Sequence, residues 1–246
     1  MNLPPIFIER TKAILKEEYP AFENALQQLA PTSIRINDKM DYMPSAEKVA
    51  WCDKGYYLNE RPLFTVDPLF HAGVYYVQEA SSMFLSQVVE QHFPDADTVL
   101  DLCAAPGGKS TLLSQYLHRN CLLVSNEIVR NRAYILAENL AKWGNQNTLV
   151  TNNDPADFSA LNNFFDAVVV DAPCSGEGMF RKDAGAIDEW SLSNVELCAE
   201  RQKKILTDVW DALKPEGILV YSTCTYNREE NDYNVAWMCS ELYAEL

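Results

Sequence analysis

Short apolar runs alternate with longer stretches of helical periodicity from about residue 71 onwards, and this alternation limits the possible folds. The apolar runs are TVLDL (98–102), CLLVSN (121–126), NTLVTN (147–152), DAVVVD (166–171) and GILVYST (217–223). The helical stretches lie near 78–91, 109–118, 130–143, 194–213 and 228–243. Apolar strands that alternate with helices pair in parallel, with helices covering the sheet. The pattern therefore predicts an α/β fold with a doubly wound, Rossmann-like sheet over residues 71–246.

Residues 1–70 follow a different pattern. An amphipathic stretch runs from Phe7 to Leu29 with an interruption at Pro20, and the β-like run TSIRIN (32–37) follows it. Segments rich in Tyr and Pro make up the rest. We interpret residues 1–70 as a small α+β N-terminal domain that precedes the sheet.

The composition excludes several classes of protein. No apolar run approaches the roughly 18–20 residues of a membrane span, so no membrane association is expected. The seven Cys form no CxxC pair, and the three His are widely separated, so neither a disulfide framework nor a metal site is predicted. A reduced, cytoplasmic compartment is the expectation.

The net charge argues against a nucleic-acid partner at first. The chain has 20 Lys and Arg against 35 Asp and Glu, a net charge of −15, whereas phosphate binding needs basic side chains. Some of the acidic residues fall, however, where the sheet would hold a ligand. The remaining excess still predicts that this chain alone binds RNA weakly.

Polar or reactive residues follow each of the five predicted strands. They belong to the segments DLCAAPGGKS (101–110), Asn126-Glu127, Asn153-Asp154, DAPCSGEG (171–178) and STCT (222–225). Ligands of doubly wound sheets bind beyond the carboxyl ends of the strands, so these residues are candidates for a binding site. The alternative is that the acidic ones only cap the segments that follow.

A Gly-rich turn, APGGKS, joins the first predicted strand to its helix. It is not a phosphate-binding loop of the GxxxxGK[ST] type, because Cys103 stands where the first Gly is needed, and it is not GxGxxG. Glu127 lies 19 residues after Gly108, the spacing of an acidic residue that binds ribose hydroxyls. Asp154 could then reach an adenine amino group. S-adenosylmethionine (SAM), whose sulfonium and ammonium suit acidic surroundings, is favoured over NAD.

Two cysteines lie in polar turns after neighbouring predicted strands. Cys174 belongs to DAPCSG, which begins with Asp171, and Cys224 belongs to STCT. A free Cys is most often a small buried apolar residue, but the polar flanks here favour a reactive thiolate that adds to an electron-poor carbon. A nearby cation would lower the pKa of such a thiol, and Lys109 is the candidate.

Taken together, DLCAAPGGKS, Glu127, DAPCSGEGMFRKD and YSTCT resemble the Sun-type (NOL/NOP-like) family of RNA cytosine-C5 methyltransferases. The resemblance extends to PTSIRIN (31–37), VAWCDKGYY (49–57) and HAGVYYVQEASSM (71–83), and so covers nearly the whole chain. Within the family, the chain is most similar to the bacterial enzyme that acts on 16S ribosomal RNA. The resemblance implies an RNA substrate, most of all ribosomal RNA with tRNA as the alternative, and we expect a monomer.

The resemblance also implies a role for each motif. The residues expected to bind SAM are Cys103, Ala104, Ala105, Pro106, Gly107, Gly108, Lys109, Glu127, Asp154 and Asp171. Cys224 would attack C6 of cytosine, which activates C5 for methylation, and Cys174 would assist release of the product. Asp171 would also contact the N3/N4 edge of the base, and the target base must be flipped out of its stack.

Two alternatives stay open. DNA cytosine-C5 methyltransferases use a Cys in a Pro-Cys motif as the nucleophile, and by that analogy Cys174 would attack instead of Cys224. Members of the family also continue into two closing strands and a PUA-like RNA-binding domain, which are expected to be missing from this chain. A non-catalytic or incomplete SAM-binding module is therefore the second functional hypothesis. A small-molecule methyltransferase is less favoured, since it gives two thiols no role.

Overall fold

In the computed structural model, which describes residues 2–246, each of the five apolar runs forms a strand. The strands are β1 Thr32–Ile36, β2 Glu47–Lys48, β3 Gly55–Leu58, β4 Tyr75–Val77, β5 Thr98–Asp101, β6 Leu122–Asn126, β7 Thr148–Thr151, β8 Phe165–Asp171 and β9 Leu213–Ser222. The α-helices are α1 Pro5–Leu15, α2 Tyr19–Gln27, α3 Pro68–His71, α4 Leu85–His92, α5 Gly108–Tyr116, α6 Arg130–Trp143, α7 Ala184–Glu189, α8 Leu192–Trp210 and α9 Asp232–Glu241. Short 3-10 segments cover Lys16–Glu18, Phe64–Val66, Ser81–Phe84, Pro155–Ala160 and Glu177–Met179.

The chain forms two compact units, each assembled from segments that are distant in sequence. Unit 1 contains Met1–Ala30, Ala172–Thr207 and Ser222–Leu246, and unit 2 contains Pro31–Asp171 and Asp208–Tyr221. The two domains expected from the sequence, residues 1–70 and residues 71–246, are continuous segments, and this domain division stays a prediction.

Unit 2 contains the predicted doubly wound sheet, with strand order β7-β6-β5-β8-β9. The pairs β6–β7, β5–β6 and β5–β8 are parallel. The central strands are fully buried, as expected for a sheet covered on both faces: Val99, Leu100, Ala167, Val168 and Val169 have no exposed surface. The α/β prediction for this part of the chain is therefore confirmed.

A second sheet in unit 2 has the order β2-β3-β1-β4 and is antiparallel. Its strand β1 is the predicted TSIRIN run. Arg35 on this strand is fully buried, and its guanidinium lies 4.5 Å from the ring of Trp143. Burial lowers the pKa of Arg35 to about 10, so the side chain is still charged at neutral pH.

Unit 1 has an aromatic core. Phe7 packs edge-on against Phe180 and Trp190, with ring centroids 5.1 and 5.7 Å apart, and Leu26 and Val195 complete the buried cluster. Aromatic pairs in this geometry add stability beyond the area they bury.

Two local predictions differ from the structure. The first helix ends at Leu15, before Pro20, and Pro20 lies in the first turn of α2, where its missing N–H costs nothing. Strand β9 begins at Leu213, earlier than the predicted 217, and includes a sharp bend. Glu216 there has φ 62°, and a Cβ on Gly217 would lie 2.8 Å from the Lys214 carbonyl oxygen. Within residues 2–246, no helix combines the length and apolar character needed to cross a bilayer.

Candidate functional site

The strand order of unit 2 reverses between β5 and β8, which is where doubly wound sheets bind ligands. From β5 the chain adds β6 and β7 on one side and then returns to add β8 and β9 on the other. Asp101 ends β5 and Asp171 ends β8. The reversal point therefore lies between two carboxylates.

Asp101 is fully buried and only half of its carboxyl group has a partner. Its Oδ2 accepts a hydrogen bond from the Ser110 hydroxyl at 2.6 Å, whereas Oδ1 is buried without one. The pKa of Asp101 is raised to about 7, chiefly by burial and also by the charges of Asp171 and Glu127, while the hydrogen bond from Ser110 and the charge of Lys109 lower it. An unpartnered buried carboxylate oxygen is costly, so this atom is suited to a cationic or hydrogen-donating ligand.

The Gly-rich turn is held in place by the neighbouring helix α6. Gly107 adopts φ 112°, a conformation that a residue with a Cβ rarely takes, and α5 begins at the next residue. Arg132 donates to the Ala105 carbonyl at 2.7 Å, and Asn139 donates to the Pro106 carbonyl at 2.8 Å. The turn therefore presents its backbone in one fixed conformation.

Arg35 and Gln78 anchor the other side of this turn. Arg35 donates from Nε to Gln78 Oε1 at 2.8 Å and from Nη2 to the Thr111 hydroxyl at 2.6 Å. Gln78 in turn donates to the Gly108 carbonyl at 3.0 Å. No functional role was predicted for the PTSIRIN segment, because no local signal connects it to a turn some seventy residues later.

Cys103 lies among three carboxylates. The pKa of this thiol is raised to about 12, chiefly by burial and also by the charges of Asp101, Glu127 and Asp171, while the charge of Arg132 lowers it. The thiol is therefore neutral at physiological pH. Because the charges of Asp101, Glu127 and Asp171 all act on Cys103, the three carboxylates surround one part of the expected cofactor site.

Of the acidic residues Glu127 and Asp154, only Asp154 caps the helical segment that follows it, as the alternative interpretation of the strand ends predicts. Asp154 is exposed and accepts from the Ala156 N–H at 3.0 Å. Glu127 is buried, accepts from the Val129 N–H at 2.9 Å and pairs with Arg132 at 3.2 Å. A carboxylate offers about four acceptor positions, so these contacts do not prevent either residue from binding a ligand.

Lys109 pairs with Asp171. Its Nζ lies 2.7 Å from Asp171 Oδ2, and the pair connects the first turn of α5 to the end of β8. The ammonium group is thus already engaged by a carboxylate.

In unit 1, the structure brings the two candidate cysteines together although fifty residues separate them. Their Sγ atoms are 2.8 Å apart, and the Cys224 N–H also contacts Cys174 Sγ at 3.2 Å. Cys224 is exposed and Cys174 is half-buried. The two thiols therefore act as one pair.

The pKa of Cys174 is raised, chiefly by its hydrogen bond to Cys224 and then by burial. For Cys174, the expectation that a cation lowers the pKa is wrong, because the thiol is sheltered and hydrogen-bonded and Lys109 is paired with Asp171. Either sulfur can be the donor in the contact between the two thiols.

Two buried glutamates that the sequence analysis did not single out hold the cysteine loops. Glu177 is 2% exposed and Glu230 is 0% exposed. Glu177 stands inside the DAPCSGEG motif and Glu230 follows STCT, so motif membership was the available signal. Their contacts, which lie between residues about fifty positions apart, could not be read from the chain.

Comparison with known proteins identifies the family of this fold. Residues 90–242 match the model of 16S rRNA methyltransferase RsmB/F, and residues 3–80 match the N-terminal domain of 16S rRNA methyltransferase RsmF. The crystal structure of a methyltransferase homolog protein from Pyrococcus horikoshii has a TM-score of 0.79 and 28% identity, covering 96% of this chain and 78% of that one. NSun6 from Pyrococcus horikoshii with SFG has a TM-score of 0.82 and 20% identity, covering 96% and 86%.

Curated bacterial relatives extend the comparison. Ribosomal RNA small subunit methyltransferase F from Pectobacterium atrosepticum is 34% identical over 96% of this chain and 53% of its own length. The protein of the same name from Vibrio cholerae serotype O1 is 36% identical over 100% of this chain and 55% of its own length. The chain thus spans about half the length of the curated relatives it matches. It belongs to the family of 16S rRNA methyltransferase RsmB/F.

Proposed function

We propose that this chain carries the catalytic part of an enzyme that transfers a methyl group from SAM to C5 of a cytosine in small-subunit ribosomal RNA. The observation that carries the proposal is the cysteine pair, with its two Sγ atoms 2.8 Å apart. Two adjacent thiols suit a reaction in which one sulfur forms a covalent bond to the base and the other helps to break it. The names of the bacterial relatives support the choice of RNA.

The residues around the reversal point of the sheet fit SAM. The carboxylates of Asp101, Glu127 and Asp171 suit its sulfonium and ammonium groups, and Asp101 Oδ1 is a buried acceptor without a partner. The segment from Cys103 to Lys109 would hold the cofactor through its fixed turn, and Asp154 would reach the adenine amino group. When bound, SAM supplies the methyl group as an electrophile.

Cys224 is the nucleophile in this proposal. Its thiolate adds to C6 of the cytosine, the C6–S bond forms, and the electron pair of the C5–C6 double bond makes C5 nucleophilic. Asp171, which two residues separate from Cys174 in the chain, contacts the N3/N4 edge and favours the protonated pyrimidine. Addition to C6 needs access to the face of the ring, so the base must be flipped out.

Cys174 assists the release step. The C5 proton must leave and the C6–S bond must break, returning its electron pair to Cys224. The proton held by Cys174 can pass to the departing Cys224 thiolate, and the Cys174 thiolate that remains can take the C5 proton. One proton thus moves from C5 to the sulfur pair, and the double bond of the methylated base is restored. The raised pKa of Cys174 makes it the proton-holding partner and supports this division of roles.

An assay for the covalent adduct tests the assignment. The chain, Cys174→Ala and Cys224→Ala are incubated with SAM and an unmodified 16S rRNA transcript, and cross-linked protein is measured on a denaturing gel. We expect Cys174→Ala to accumulate an adduct that Cys224→Ala cannot form. An adduct that persists in Cys224→Ala and disappears in Cys174→Ala would reverse the two roles.

Several expectations stay predictions. They are the preference for ribosomal RNA over tRNA, the cytoplasmic compartment, the monomeric state and the role of residues 1–70 as a separate domain. The hypothesis of an incomplete SAM-binding module makes a different prediction: the chain binds SAM and forms no adduct with either cysteine present.

A further inference from the structure

Glu177 captures the loop that carries Cys224. Its Oε2 accepts hydrogen bonds from the Thr225 hydroxyl at 2.7 Å, the Tyr226 N–H at 2.8 Å and the Asn227 N–H at 3.0 Å. Its Oε1 accepts from Trp190 Nε1 at 3.0 Å. A carboxylate of the Cys174 loop therefore binds three consecutive residues that directly follow Cys224.

Glu230 makes the reciprocal connection. It belongs to the segment after Cys224, and its Oε2 accepts from the Ser175 N–H at 3.0 Å, the residue directly after Cys174. The same oxygen accepts from Gln202 Nε2 at 2.7 Å, and Oε1 accepts from Asn227 Nδ2 at 2.7 Å. Each cysteine loop thus supplies a buried carboxylate that binds the backbone of the other loop.

The backbones of the two loops approach closely between these contacts. The Gly178 N–H donates to the Cys224 carbonyl at 2.8 Å, and a Cβ at Gly178 would lie 2.7 Å from that oxygen. Only glycine fits at that distance. These contacts bind residues 175, 177 and 178, which closely follow Cys174, to residues 224–227 and 230 of the Cys224 loop. A change in the network is therefore expected to displace one sulfur relative to the other.

We infer that Glu177 and Glu230 are positioning residues of the reaction, which act by holding the Cys174 and Cys224 thiols in register. The inference rests on the proposed function, in which both thiols take part. Burying a carboxylate is expensive unless its oxygens are fully hydrogen-bonded, and a fully satisfied polar network specifies a single arrangement. The donors to Glu177 are backbone N–H groups, a hydroxyl and an indole N–H, all uncharged. Its contacts therefore define geometry rather than neutralise a charge.

The substitution Glu177→Gln tests the inference with minimal change of shape. If the amide oxygen takes the place of Oε2 and keeps the three donors of the Cys224 loop, the amide NH₂ faces the Trp190 N–H, donor against donor. Either orientation of the amide loses hydrogen bonds. Replacing Trp190 by Phe in the same chain removes the opposing donor, so the double variant Glu177→Gln, Trp190→Phe should recover part of the lost rate.

The matched control is Val195→Ala. Val195 is buried in the aromatic core of the same unit, and no hydrogen bond joins its side chain to either cysteine loop. It reports the effect of a less stable unit 1 on the reaction. Melting temperatures of all variants are measured, so that each rate is compared at a temperature where the protein is folded.

The readout is the rate at which each variant of the 246-residue chain forms a covalent adduct with a 16S rRNA transcript containing 5-fluorocytidine, whose C5 cannot lose a proton. The KM for SAM and the pH dependence of Cys224 alkylation by iodoacetamide are measured in parallel. For Glu177→Gln we expect adduct formation to slow about ten- to a hundredfold, the alkylation profile to shift along the pH axis, and the KM for SAM to stay unchanged. Val195→Ala should leave all three as in the unmodified chain.

The outcomes separate this inference from the proposed function. If the unmodified chain forms no adduct, the proposed function fails and the inference fails with it. If the unmodified chain forms the adduct and Glu177→Gln matches Val195→Ala in every readout, the inference alone is overturned. A slower adduct in Glu177→Gln, together with partial recovery in the double variant, supports it.

Discussion

Replacing Asp101 by Asn should make the protein more stable at alkaline pH and weaken its binding of SAM. Asn has nearly the same shape, and its amide oxygen can keep the hydrogen bond that Ser110 makes to Oδ2 at 2.6 Å. The substitution therefore removes a buried charge and replaces the unpartnered Oδ1 by an NH₂ group. We expect a bound cation, such as the sulfonium group of SAM, to offset the free energy that burial of this carboxylate costs.

The sign and size follow from the pKa of the folded protein. The pKa of Asp101 rises from 3.8 to about 7 on folding, so between these values the folded chain binds a proton that the unfolded chain has lost. The contribution of Asp101 to stability is therefore fully present below pH 3.8 and lost as the pH rises through about 7. At 1.36 kcal/mol per pKa unit, a rise from about pH 5.5 to about pH 8.5 costs about 2 kcal/mol. Asp101→Asn does not lose this contribution.

Urea unfolding of both proteins at these two pH values measures the difference directly. The advantage of Asp101→Asn should grow by about 2 kcal/mol between about pH 5.5 and about pH 8.5. Calorimetric titration at neutral pH should show weaker SAM binding by the variant. A difference in stability that does not change with pH, together with unchanged SAM affinity, would refute the reasoning about this carboxylate.

Three further predictions concern the turn and the strand ends. Arg35→Met should lower the free energy of unfolding by about 2–4 kcal/mol in urea, since two or more buried acceptors lose their donor, and a loss under about 1 kcal/mol would contradict the anchoring role. Gly107→Ala should lower the free energy of unfolding by about 1–3 kcal/mol, because Gly107 has a φ of 112°, and it should weaken SAM binding in calorimetry. The control Gly144→Ala, at φ 82° with open space around it, should lose stability only. Equal SAM affinities of the two variants would count against the turn as a cofactor site. Asp154→Ala and Asp157→Ala both break one capping box at a cost of about 0.5–2 kcal/mol, but only Asp154→Ala should weaken SAM binding, and equal effects would make Asp154 a cap alone.

The sheet could be predicted because its determinants are local. The apolar runs that form β5, β6 and β8 are largely buried, so the hydrophobic pattern of the sequence changes where a strand gives way to a helix. Helix α6 covers the predicted residues 130–143. Proline 20 was misjudged because its effect depends on its place in a helix. Helix α1 ends at Leu15 and α2 begins at Tyr19, so Pro20 lies in the first turn of α2. A missing N–H is harmless at that position.

Only those residues of the candidate site that directly follow a strand could be predicted from the sequence. Topology places residues that follow neighbouring strands at the same edge of a sheet, and Cys174 and Cys224 both follow such strands. The partners of their loops, Glu177 and Glu230, depend on hydrogen bonds across about fifty residues. The raised pKa of Cys174 likewise depends on burial and on one short contact, and neither is encoded in the residues beside it.

The most direct test of the central claim is a count of 5-methylcytidine. An unmodified 16S rRNA transcript is incubated with SAM and the 246-residue chain, or with its Cys224→Ala variant, then digested and measured by mass spectrometry. We predict 5-methylcytidine at a defined cytosine with the unmodified chain and none with Cys224→Ala. A chain that binds SAM yet leaves every cytosine unmethylated, or a Cys224→Ala variant that methylates as well as its parent, would contradict the account.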